Sequence, residues 1–189
     1  MRIIGGNLKG IRFQPPQNIP TRPTTDFAKE GMFNMLSHSF NFENTKVLDL
    51  FGGTGSISYE FASRGCKDIT TIEIFPKCAA FIKKTVLDLN LPAVHVLQMD
   101  VFQFIKNAHH KYHLIFAGPP YPLENLATLP DLIFQYQLVD GPGWFILEHN
   151  PNHDFKNHPH YYKEKNYGTT IFSIFVNHPE KKEDEVIES

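Results

Sequence analysis

From Lys46 onward, short runs rich in β-branched residues alternate with stretches whose apolar positions recur at helical spacing. KVLDLF at 46–51 predicts a first strand with a helix from about Ser56, and DITTIEI at 68–74 a second with a helix from about Pro76. VHVLQM at 94–99 follows as a third strand, with a short helix near 101–109. YHLIFA at 112–117 is a fourth, with a helix near 125–137, and GWFILEH at 143–149 a fifth. Strand and helix in regular turn are the βαβ signature of a parallel sheet. The end of the chain differs. YYKEKNYG and TTIFSIFV, separated by a Gly-centred turn, predict an antiparallel hairpin that closes one sheet edge.

Upstream of Lys46, IIGG at 3–6 and GIRF at 10–13 predict two short strands around a glycine-rich turn. TTDFAKEGMFNML at 24–36 predicts a helix with Thr24 or Thr25 as its N-cap and Phe27, Phe33 and Leu36 on an apolar face. This divides the chain into an N-terminal extension over 1–40, a main domain over 41–178 and a charged tail over 179–189, expected to be disordered.

Composition adds bounds. A length of 189 residues with 41% hydrophobic and 20% charged residues fits a single domain, and 17 Phe predict a core padded with aromatic rings. No run approaches the roughly 18 apolar residues of a membrane span. MRIIGGNLKG holds too short an apolar run for a signal peptide, so a cytoplasmic protein is expected. Cys66 and Cys78 lack metal-ligand spacing and are expected to be reduced packing thiols. Net charge is −2, but residues 1–29 carry Arg2, Lys9, Arg12, Arg22 and Lys29 against Asp26 alone, a local balance of +4. Such a head is either a solvated face or an arm that contacts phosphates.

The strongest local signal is VLDLFGGTGS at 47–56, an apolar strand carrying Asp49 and running into Gly52, Gly53 and Gly55 as a helix opens. Glycines there allow a sharp turn and close approach of a ligand to the backbone. Glu73 ends the next strand, where a carboxylate accepts from ribose hydroxyls. Together these indicate an adenosine-containing cofactor. The dinucleotide fingerprint G-x-G-x-x-G fails at Ser58, which favours S-adenosylmethionine over a nicotinamide or flavin, with a structural glycine turn as the bland alternative. Asp100 is placed either to accept from an adenine amino group or to cap the helix starting at Val101. Gly118, Pro119, Pro120 and Tyr121 follow the fourth strand: either a stiff loop whose aromatic stacks on a base, or a surface turn.

RIIGGNLKG at 2–10, RPTTDFAKEGMFNML at 22–36, LDLFGGTGSISYEFASRG at 48–65 and IFAGPPY at 115–121 resemble the bacterial 16S ribosomal RNA methyltransferases that modify the exocyclic 2-amino group of guanine. The resemblance implies an α/β, Rossmann-like class I S-adenosylmethionine-dependent fold. Its sheet is mostly parallel and seven-stranded, with a C-terminal antiparallel hairpin and a small N-terminal β-hairpin and helix. It implies cofactor contacts from Asp49, Phe51, Gly52, Gly53, Gly55, Glu73, Ile74, Asp100 and Val101, and a target base held by Gly118, Pro119, Pro120 and Tyr121. Arg2, Lys9, Arg12 and Arg22 would meet 16S ribosomal RNA, within 30S particles. One position departs from the pattern, because Gly118 stands where the wider amino-methyltransferases carry Asp or Asn. Rivals are a DNA or other amino-methyltransferase and an RNA-gripping module that keeps only the cofactor fold. His149, His153, His158 and His160 fall within twelve residues, yet their spacing fixes no tetrahedral site, and no metal is expected.

Overall fold

Alternation along the central strands sends apolar side chains to two separate cores. In β1 (Lys46–Leu50) Val47 joins one core while Leu48 and Leu50 join the other; in β4 (Tyr112–Ala117) Leu114 and Phe116 go one way, Ile115 and Ala117 the other. A sheet apolar on both faces needs helices on both. Phe33 of α1 (Asp26–Ser39), Ile57 and Phe61 of α2 (Ser56–Ser63) and Ile82 of α3 (Pro76–Asp88) cover the first face. Val101 and Ile105 of α4 (Val101–Asn107) and Leu129 and Ile133 of α5 (Leu129–Gln135) cover the second. This computed structural model describes residues 1–17, 19, 24–120 and 122–178. Arg22, Tyr121 and the acidic tail from 179 lie outside them.

With β2 (Asp68–Glu73), β3 (Val94–Gln98), β5 (Val139–His149), β6 (Tyr161–Tyr167) and β7 (Thr170–Val176), the sheet has seven strands in the order β3-β2-β1-β4-β5-β7-β6. The first five run parallel, and β7 pairs antiparallel with both β5 and β6. The order reverses between β1 and β4, which opens a crevice beyond their carboxyl ends. One predicted helix is split: a 3-10 turn at Leu126–Thr128 precedes α5, whose first turn contains Pro130.

The two short segments of the head pair antiparallel as expected, with Ile3 N–H donating to the Ile11 carbonyl (3.0 Å) and Phe13 N–H to the Met1 carbonyl (3.0 Å). Arg2 and Arg12 form a single antiparallel bridge. The glycine turn also bonds to the end of α2: Asn7 N–H donates to the Ser63 carbonyl (2.7 Å), Leu8 N–H to Ser63 Oγ (2.9 Å), and Ser63 Oγ–H to the Gly5 carbonyl (2.6 Å). A Cβ on Gly6 would lie 1.9 Å from the Ser63 carbonyl oxygen, so only glycine fits there. Ile3 is buried in the first core. Lys29 Nζ, also buried, donates to the Arg2 carbonyl (2.8 Å) and pairs with Glu60 Oε1 (3.3 Å), which accepts from Ile4 N–H as well (2.5 Å). Thr25 is the N-cap of α1, and Phe33 and Leu36 are buried. Phe27 is 70% exposed, its ring edge-on to Tyr167, so it lies off the expected apolar face.

A second buried polar group ties β1, α2 and β2 together beneath the crevice. Ser58 Oγ–H donates to Asp49 Oδ2 (2.6 Å), and the same hydroxyl shares a 2.6 Å hydrogen bond with Thr71. Burial pushes the Asp49 carboxyl up from its ordinary 3.8 to about 7, against the opposing pull of the Ser58 bonds. The native state therefore holds this proton where the unfolded chain has lost it. The stabilisation is complete below about pH 3.8 and lost as pH rises through about 7. Asp49→Asn has no charge to desolvate. Its stability relative to the parent is expected to rise between pH 4 and 8, by up to roughly 4 kcal/mol. Urea denaturation across that range checks this, and parallel stability curves for the two proteins would reject it.

Candidate active site

The crevice is a cavity of about 300 Å³ built from both motif-bearing loops. On one side, β1 leads into the glycine turn. Gly52 N–H donates to the Ile72 carbonyl (2.8 Å) and Gly55 N–H to the Gly52 carbonyl (2.7 Å), which curls the backbone toward α2. Gly55 is the N-cap of α2 in the left-handed region, φ 79°. Phe51 sits there too, at φ 64°, which a phenylalanine seldom adopts, so the surrounding contacts must hold it. Phe51, Gly52 and Gly53 line the cavity, while Gly55 shapes the turn from behind.

Glu73 locks this turn to the next one. Its Oε2 accepts from Gly53 N–H (2.6 Å) and its Oε1 from Phe75 N–H (2.7 Å). Burial raises its carboxyl above the usual range, while the Phe75, Gly53 and Ile74 amides work the other way. A carboxylate has about four acceptor sites, so these backbone amides leave room for a ribose hydroxyl. Ile74 and Phe75 stand half-exposed beside it, and with Phe102 they give the cavity apolar walls suited to an aromatic base. Asp100 caps α4, its Oδ1 accepting from Gln103 N–H (2.9 Å), and also borders the cavity beside buried Val101. Capping and cavity lining are thus compatible at one residue.

The other side is the loop after β4. Gly118 N–H reaches the Leu50 carbonyl (3.4 Å), joining the two loops across the β1–β4 boundary. Pro119 is buried and Pro120 exposed, and the Pro120 carbonyl accepts from Leu123 N–H (3.0 Å) to tighten the turn. Gly118, Pro119 and Pro120 all face the same cavity as the glycine turn. Lining residues that were not among the expected site residues include Glu148, near the end of β5, and Thr24, expected only as a possible N-cap, whose hydroxyl donates to Glu148 Oε2 (2.6 Å). The only sequence signal for Glu148 was a carboxylate late in an otherwise apolar strand.

The charges of this cavity discriminate between cofactors. Among its described lining residues are four carboxyl groups, Asp49, Glu73, Asp100 and Glu148, and no Lys, Arg or His. Such a site opposes a pyrophosphate and suits a cation. The sulfonium of S-adenosylmethionine is a cation with no phosphate, so the residues present fit it better than a nicotinamide or flavin dinucleotide.

The residues expected to meet RNA lie elsewhere. Arg2, Lys9 and Arg12 are exposed on the head, where Arg2 and Lys9 border a shallow depression and Arg2 Nε pairs with Asp26 (2.7 Å). The histidines from the end of β5 onward have structural partners. His149 Nε2 shares a hydrogen bond with Ser173 Oγ (2.8 Å), His158 meets Asp131 (3.2 Å), and the His160 ring stacks on Phe134 at 3.9 Å. Among the described residues, no three His, Cys, Asp or Glu come together as a metal site. Cys66 and Cys78 are buried free thiols.

A family model described as Conserved hypothetical protein 95 matches residues 1–176. The chain is 29% identical over 181 residues to "Ribosomal RNA small subunit methyltransferase D" of Buchnera aphidicola subsp. Baizongia pistaciae, covering 94% of this chain and 92% of the relative. It is 32% identical over 154 residues to "Putative rRNA methyltransferase YlbH" of Bacillus subtilis, covering 79% and 83%. Among solved structures, the Escherichia coli "Putative methyltransferase yhhF" superposes with a TM-score of 0.82 at 23% identity, over 94% of this chain and 98% of that one, a likeness of fold. On the extent of the family match and of these relatives, the chain belongs to the Conserved hypothetical protein 95 family, the family of the ribosomal RNA small subunit methyltransferase D type.

Proposed function

We propose that the protein transfers a methyl group from S-adenosylmethionine to the exocyclic 2-amino group of a guanine in 16S ribosomal RNA, within the small subunit in the cytoplasm. One observation carries this reading: a single cavity joins the glycine turn and Glu73 to the Gly118–Pro119–Pro120 loop. A cofactor held by the first faces a base held by the second. The names of the relatives support an RNA of the small ribosomal subunit as the acceptor.

The sulfonium methyl is the electrophile that the cofactor supplies when bound. Glu73 would accept from its ribose, Ile74, Phe75 and Phe102 would enclose its adenine, and Asp100 would accept from the adenine amino group. Glycines at 52 and 53 let the backbone come close. Pro119 and Pro120 hold a stiff loop against the opposite wall, so the target amino group and the methyl group can be set in line, which removes much of the entropic barrier. The Pro119 carbonyl would accept from that amino group, and Tyr121 would stack on the base. No step needs a metal. Lys9 and Arg12, exposed on the head, would meet RNA phosphates together with Arg2 and Arg22.

Labelled-methyl transfer to naked 16S RNA and to 30S particles from cells lacking the enzyme tests the substrate. N2-methylguanosine is the expected product, and a methylated adenosine or no transfer at all would reject the assignment. Loss of Glu73 removes charge-assisted hydrogen bonds, so Glu73→Ala should weaken S-adenosylmethionine binding by about ten- to a hundredfold in calorimetry. For the head, deletion is a poor test because Ile3 belongs to the core. The double variant Lys9→Ala/Arg12→Ala should instead lower RNA affinity and reduce the slope of log affinity against log salt by about 1 to 2, with cofactor affinity unchanged. An unaltered slope would take these two residues out of the RNA interface.

A further inference from the structure

The departure at Gly118 has a counterpart on the neighbouring strand. β4 and β5 run parallel with Ala117 opposite Leu147, so position 118 lies beside Glu148 across the sheet. A Cβ built on Gly118 would sit 3.7 Å from Glu148 Oε2 and 3.1 Å from Phe116 Cε1. Gly118 is not among the glycines in the left-handed region, so its backbone does not require glycine. The Glu148 carboxylate thus occupies the neighbourhood into which an Asp or Asn side chain at 118 would project. It is buried, 8% exposed, and it lines the cavity beside Gly118, Pro119 and Pro120.

Burying a carboxylate is costly unless hydrogen bonds hold it or the site uses it. Thr24 donates to Oε2 at 2.6 Å from the residue just before the N-cap of α1, which fixes where the carboxylate points. With about four acceptor sites, a carboxylate bonded to Thr24 can also accept from an amino group of the target base.

We propose that Glu148 is a catalytic residue that supplies from β5 the acceptor that Gly118 cannot supply from β4. Its carboxylate accepts a hydrogen bond from the target amino group and, as transfer completes, takes that group's proton. The lone pair of the amino nitrogen forms the new N–C bond while the C–S bonding pair stays on sulfur, which becomes a neutral thioether. The nitrogen, now bearing the positive charge, loses one proton to Glu148, and water carries it away. Thr24 is a positioning residue for this carboxylate and links the RNA-facing head to the reacting centre. The inference rests on the amino-methyltransferase reading above, but it holds for any exocyclic amino group.

The test uses the full chain with S-adenosylmethionine and 30S particles from cells lacking the enzyme, read in single turnover. Glu148→Gln keeps the shape and the Thr24 contact but cannot take a proton. It should slow methyl transfer by roughly ten- to a hundredfold, with the cofactor dissociation constant and melting temperature close to those of the parent. Adding Gly118→Asp to Glu148→Gln returns one carboxylate to the same neighbourhood without setting two like charges side by side, and should recover much of the lost rate. A Glu148→Gln rate equal to the parent's overturns the proposal. So does a slow variant whose cofactor affinity or melting temperature falls in step, which marks a structural role. Failure of the double variant to recover any rate overturns the exchange of acceptors between the strands. A parent that methylates no RNA overturns the functional reading and this role together. A parent that makes a methylated adenosine overturns only the guanine assignment, and the Glu148 comparison still decides its own case.

Discussion

The pairing of β1 with β4 is the constraint on which the rest of the site depends. Val47 to Leu50 lie against Leu114 to Ala117 in parallel register, although 67 residues separate Val47 from Leu114 in the chain. At this boundary the order of strands reverses, so the connections leave in opposite directions and a crevice stays open at the carboxyl ends. The glycine turn and the double-proline loop are the immediate continuations of these two strands. The hydrogen bond from Gly118 N–H to the Leu50 carbonyl holds their first residues together. Both core clusters serve that pairing, since alternate residues of β1 and β4 anchor in each.

A cavity with four carboxyl groups is electrostatically uncomfortable when empty of counter-charge. Hydrogen bonds ease part of the discomfort: Glu73 is held by backbone amides, Asp49 by Ser58, Asp100 by the first turn of α4 and Glu148 by Thr24. The raised values of Asp49 and Glu73 show that desolvation still outweighs these bonds. A cationic ligand relieves such a site and an anionic one aggravates it. The carboxylates therefore do two jobs: they brace the loops and they select the charge of what enters.

The head is more than a charged appendage. Its turn is pinned to α2 through Ser63, its Ile3 enters the core, and the buried Lys29–Glu60 pair closes over the backbone of Arg2 and Ile4. Breaking a buried pair of this kind by removing one partner leaves an uncompensated charge, typically a loss of about 3–5 kcal/mol. The segment that displays Lys9 and Arg12 is for that reason held in a fixed position relative to the cavity. Thr24, just before α1, touches the Glu148 carboxylate that lines the cavity.

Much of this was legible along the chain, because the signals concerned are local. Strand and helix periods placed every parallel strand and the terminal hairpin, since period-2 and period-3.6 patterns depend only on near neighbours. The glycine turn, Glu73 and the Gly118–Pro119–Pro120 loop were identifiable because each depends on a strand end and the few residues after it. What the sequence by itself determined was the set of elements, the cofactor class and the motif-bearing loops. Tertiary structure alone decided the rest. The exposure of Phe27 depends on how α1 packs against the sheet. The docking of the head turn on α2 runs through Ser63, 55 residues beyond Leu8 in the chain. The placement of Glu148 beside Gly118 needs a strand register between segments about 30 residues apart, which no local pattern encodes.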